Sequence, residues 1–158
     1  MEPEVYFLKY AFPCSHILWR VRREITEEEY KKMENAAKHN KILSGRFLEK
    51  AFWRAFTRIE KLAEEMGKDK WDIEVIKEYF CVRHNSVLNV SDYPESFKEM
   101  CKTYKARVIE ETNDGEVIVS YESELDGEKK RKVKKDYIKD LKVGERVWIH
   151  WQYAVEKV

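Results

Sequence analysis

Apolar residues recur at spacings of three and four through most of the first hundred positions of this 158-residue chain, and at spacings of two after them. A pattern with the helical period cannot bury one face as a strand, nor an alternating one as a helix. The chain therefore reads as a helical part followed by a β part, an α+β protein. In the first part, Thr26-Glu27-Glu28-Glu29 has the form of a capping box opening a helix through Tyr30, Met33 and Ala37. Phe47, Leu48, Ala51, Phe52, Ala55, Phe56, Ile59, Leu62, Ala63 and Met66 share one face of a second helix, with Gly67 as its stop. Asp69 is the expected cap of a third, carrying Trp71, Val75, Ile76 and Tyr79. The apolar stretch Val5 to Arg22 supplies a fourth, interrupted at Pro13. Such helices can close a small bundle over residues 1–95.

After Cys101 the alternation of Tyr104, Ala106 and Val108 with Lys105, Arg107 and Ile109 predicts a strand. Asn113-Asp114-Gly115 and Asp126-Gly127 are hairpin turns, and Val147, Ile149 and Trp151 begin the last strands. Short strands at this spacing predict a small antiparallel, OB-like β-barrel over residues 100–158.

Composition narrows the function classes. Hydrophobic residues make up 43% of the chain, enough for a core. Charged residues reach 39% with a net charge of +1, a dense mixture of the kind that forms surface ion-pair networks in thermostable proteins. A surface built wholly for nucleic acid would be clearly basic, so nucleic acid is not the expected partner. No apolar run reaches the length of a membrane span, and a soluble cytoplasmic protein is expected. Three widely spaced cysteines, Cys14, Cys81 and Cys101, are a poor disulfide framework and suit a reducing compartment.

Three constellations carry chemistry. Lys129-Lys130-Arg131-Lys132-Val133-Lys134-Lys135 has the charge to displace counterions from phosphates. Glu122, Glu124, Asp126 and Glu128 lie just upstream, however, and an ion-paired hairpin is the preferred reading. Cys14 with His16, and Cys81 with His84, are candidate ligands for zinc or iron. Their spacing matches no standard finger, which favours core cysteines with surface histidines. Cys101 and His150 could meet only if the β part brought them together. Signatures of an enzyme, such as a Gly-rich phosphate loop, GxSxG or HExxH, are absent from the sequence, and no catalytic residue is assigned.

The segment Met100-Cys101-Lys102-Thr103-Tyr104-Lys105-Ala106-Arg107-Val108-Ile109-Glu110 resembles the opening of the HypC/HupF family of nickel–iron hydrogenase maturation chaperones. That family begins Met-Cys, three residues, Pro-Gly, a basic residue and Val-Ile-Glu. Val143-Gly144-Glu145-Arg146-Val147-Trp148-Ile149-His150-Trp151-Gln152-Tyr153-Ala154-Val155-Glu156-Lys157 is similar to the family's ending, Val-Gly-Asp-Tyr-Val-Leu-Val-His-x-Gly-Phe-Ala-Ile-Glu-Lys. The resemblance covers residues 100–158. It implies a HypC-like barrel that contacts another maturation protein or a metalloenzyme precursor subunit and handles iron transiently. Cys101 would be the partner or iron contact and His150 its neighbour. Lys105-Ala106 stand where the family has Pro-Gly, Gln152 replaces its glycine, and Cys101 is internal, without a free α-amino group. The expected function is that of a non-enzymatic accessory protein in metalloenzyme assembly. The alternatives are an interaction module that keeps only the fold, and a nucleic-acid-binding small barrel using residues 129–135.

Overall fold

The computed structural model describes residues 1–158, and the chain divides into two compact units, Met1–Arg83 and His84–Val158. The first unit is all-helical. It comprises α1 (Pro3–Ala11), α2 (Glu27–Lys38), α3 (Gly45–Ala51), α4 (Trp53–Met66) and α5 (Ile73–Glu78). A 3₁₀ turn at Phe12–Cys14 and π-helical turns at Ile17–Val21 and Tyr79–Arg83 complete it. No helix of the chain is long and apolar enough to cross a membrane.

The capping box at the start of α2 forms as the sequence predicts: Thr26 Oγ1 accepts from the Glu29 amide at 3.1 Å, and the Thr26 amide donates to Glu29 Oε1 at 2.9 Å. The long helix expected over residues 47–66 is two, broken at Phe52, whose backbone lies at φ −110° and ψ 43°. The break lies within a packed aromatic cluster. Phe7, fully buried in α1, holds Phe52 edge-on at 5.4 Å and Phe56 at 4.7 Å, with Trp71 and Phe80 at 5.8 and 5.7 Å. Trp71 also lies over Gly45, where an added Cβ would come within 3.2 Å of the indole. Gly67 ends α4 in the left-handed region, φ 65°, and the Lys68 amide then reaches back to the Ala63 carbonyl at 2.9 Å. The cap of α5 is Asp72, which accepts from the Glu74 amide; Asp69 turns the preceding loop by accepting from the Trp71 amide.

The second unit contains α6 (His84–Asn89), α7 (Glu95–Cys101) and five antiparallel strands: β1 (Thr103–Glu111), β2 (Val117–Ser123), β3 (Gly127–Val133), β4 (Arg146–His150) and β5 (Tyr153–Lys157). Residues 84–95, expected to end the helical part, thus cluster with the sheet. Pro94 is the N-cap of α7. The strand order is β3-β2-β1-β4-β5. The sheet is not closed. An isolated bridge between Lys134 and Tyr153 joins its two ends, through Lys134 N to Gln152 O at 2.7 Å and Ala154 N to Lys134 O at 2.9 Å. One face carries the core: Tyr104, Ala106, Val108, Val117, Val119, Tyr121, Val133, Leu141, Val147, Ile149 and Ala154.

Candidate metal centre

Antiparallel pairing of β1 with β4 sets Thr103 opposite His150. By alternation both fall on the face away from Tyr104 and Ile149, where water would be expected, yet Thr103 is 2% exposed and His150 fully buried. The covering groups come from the two short helices. Asn85 of α6 pairs with the Thr103 backbone as a strand would, its Nδ2 donating to Thr103 O and its Oδ1 accepting from Thr103 N, both at 2.9 Å. His84, next to Asn85, is thereby held at this corner of the sheet.

The end of α7 is fixed by a second set of bonds. Glu99 Oε2 accepts from the Ser123 hydroxyl at 2.9 Å and the Tyr104 hydroxyl at 3.3 Å. Arg131 donates to the Glu99 carbonyl at 3.2 Å, the Tyr121 hydroxyl at 2.9 Å and the Trp151 carbonyl at 3.0 Å. The Trp151 amide closes onto Met100 O at 3.1 Å, across the tight β4–β5 turn in which Trp151 adopts a positive φ of 53°. Cys101 follows directly. The ligand atoms of His84, Cys101 and His150 all lie within 4.8 Å of one another, and all three residues are buried. The two imidazole rings stand edge-on, centroids 5.4 Å apart at 74°.

Charge beside the site is organised by Lys102, which is 1% exposed and paired with Glu124 Oε2 at 2.8 Å. Glu124 also accepts from Asn85 and Asn89 of α6. The Lys102 ammonium, with the two amides, holds the Glu124 carboxyl below the usual carboxylate range. Burial, aided by the negative charge of Glu99 and Glu124, pushes the Tyr104 hydroxyl up to about 12.

The sequence-derived candidates distribute as follows. Cys101 and His150, singled out together, are brought together. His84, which the sequence paired with Cys81, stands with them and supplies the third member of the group. Cys14, His16 and Cys81 belong to the first unit. There the Cys14 thiol donates to Ala11 O at 3.3 Å, His16 Nδ1 is bonded to Pro13 O at 3.2 Å, and Cys81 Sγ lies 3.5 Å from the Tyr10 hydroxyl. The spacing Cys81-x-x-His84 suggests one pair, but Cys81 lies in the π-helical turn that ends the first unit and His84 opens α6 of the second. The signal available was Asn85, a polar residue able to clasp a strand's backbone.

Three of the six cations of the basic run are engaged inside the unit. Arg131 is buried, Lys129 pairs with Asp126 at 2.7 Å, and Lys132 with Asp114 at 2.5 Å. The expected pairing of acidic and basic arms does not follow the ladder, which sets Glu122 against Glu128 and Lys129 against Tyr121. The ion pairs form at the two turns instead. Comparison with models of known families, with curated proteins and with solved structures gave no match to this chain.

Proposed function

We propose that the protein is a non-enzymatic accessory factor in metalloenzyme assembly, of the hydrogenase-maturation kind, acting through contacts with another maturation protein or a precursor subunit. The observation that carries this reading is the meeting of Cys101 and His150, residues from opposite ends of the segment that resembles HypC/HupF. A thiolate beside an imidazole is a suitable donor pair for iron carried as cargo. The HypC-like, OB-like barrel belongs to the same reading. The order β3-β2-β1-β4-β5 with a bridge joining its outer strands supports it.

A second reading, an interaction module that keeps the fold without the chemistry, is favoured by the burial of Cys101, which is 5% exposed. Anaerobic affinity capture from native extract separates the two, with wild type compared against Cys101→Ala. Recovery of a hydrogenase subunit or maturation protein by wild type alone is the expected result. Equal recovery by both forms would favour the module, and absence of any such partner would overturn the maturation role.

A further inference from the structure

We infer that His84, Cys101 and His150 form a three-ligand site for one divalent transition-metal ion, bound through one thiolate and two imidazole nitrogens. The inference shares Cys101 and His150 with the proposed function and adds His84. It rests on that reading only for what the ion is used for.

Donor type decides the class of ion. A sulfur and two imidazoles are poor ligands for calcium or magnesium, which take oxygen, and good ones for zinc and its neighbours. Geometry agrees. Tetrahedral bonding at Zn–S of ~2.3 Å and Zn–N of ~2.0 Å places ligand atoms about 3.5 Å apart, so atoms within 4.8 Å of one another need to close by little more than about 1 Å. Two imidazoles on one such ion hold their ring centres about 5 Å apart, close to the 5.4 Å between His84 and His150.

The scaffold supports capture. Each ligand leaves a different element, His84 from α6, Cys101 from the end of α7 and His150 from the end of β4. The bonds of Asn85 to Thr103 and of Trp151 to Met100 set the spacing of those elements. His84 retains 9% exposure and Cys101 5%, so the group is enclosed but not sealed. Three protein ligands leave a fourth tetrahedral position, as in sites that accept water or an exogenous ligand. On binding, the Cys101 thiol proton passes to solvent and both imidazoles ligate as neutral rings.

The test is titration of the reduced, metal-free full chain with Co²⁺, followed by displacement with Zn²⁺. One Co²⁺ per chain is expected, with a thiolate-to-cobalt charge-transfer band and tetrahedral visible absorption, both abolished by stoichiometric Zn²⁺. Cys101→Ser should lose the charge-transfer band. His84→Asn should weaken Co²⁺ binding by about tenfold or more while leaving the metal-free circular dichroism unchanged. His39→Asn, at the exposed C-cap of α2 in the first unit, should change nothing. Should His84→Asn fail to fold, His150→Gln and the Zn²⁺-induced rise in melting temperature of the wild type provide the same decision. No thiolate band in the wild type, or Co²⁺ affinity indifferent to both His84 and His150, would overturn the site. Cobalt binding with the expected dependence but no maturation partner would overturn the proposed function and leave the site standing. Partner capture through Cys101 with Co²⁺ affinity indifferent to both histidines would do the reverse.

Discussion

Glu124 accepts from Lys102, Asn85 and Asn89, so one carboxylate serves the buried ammonium and the helix that carries His84. Its folded pKa lies below the ordinary 4.5, and the unfolded chain therefore binds its proton first as pH falls. The stabilisation is complete above the unfolded value and is lost as pH drops through the folded one. Glu124→Gln should cost about 1 kcal/mol at neutral pH. That is less than the ~3–5 kcal/mol for breaking a fully buried pair, because the Glu124 side chain is 42% exposed. It should also flatten the acid limb of the stability curve. Urea midpoints measured from pH 7 down to pH 3 check both, and parallel curves for the two proteins would count against the pairing. At this scale the sequence was partly legible. Cys101 and His150 could be singled out because each sits in a segment, at one end of the β part, that resembles HypC/HupF. His84 could not be added to them, since its place depends on a clasp between Asn85 and a backbone eighteen residues away.

Elements were legible where a local signal decides them and illegible where packing does. The α2 start is of the first kind: Thr26 and Glu29 satisfy each other's amides within four residues. Thr26→Ala should destabilise the chain by about 1 kcal/mol, read as a lowered urea midpoint with unchanged slope. A neutral result would mean that the frayed first turn is held by tertiary contacts alone. The break at Phe52 is of the second kind. An unbroken helix over residues 47–66 satisfies propensity and period alike, and no local signal marks the interruption, where Phe52 packs against Phe7. The hairpin turns were readable from Asp-Gly pairs, but the pairing of Glu122 with Glu128 was not, because register depends on how the whole β2–β3 ladder is set.

For the whole molecule, near-neutral charge and the internal use of Arg131 argue against a nucleic-acid groove. Labelled single-stranded DNA and RNA should show no binding at low salt by fluorescence anisotropy; affinity with a steep salt slope would contradict this. The compact units meet at Arg83, because α6 is tied to the sheet through side-chain bonds that no period reveals. The position of β1 has a further consequence. It is the middle strand of five, hydrogen-bonded on both sides, and β4 is likewise paired on both. His150 thus projects from the end of a strand paired on both sides, and Cys101 closes α7 two residues before the central strand begins. Ion capture there would order no backbone, and the entropy lost would be confined to three side-chain rotamers.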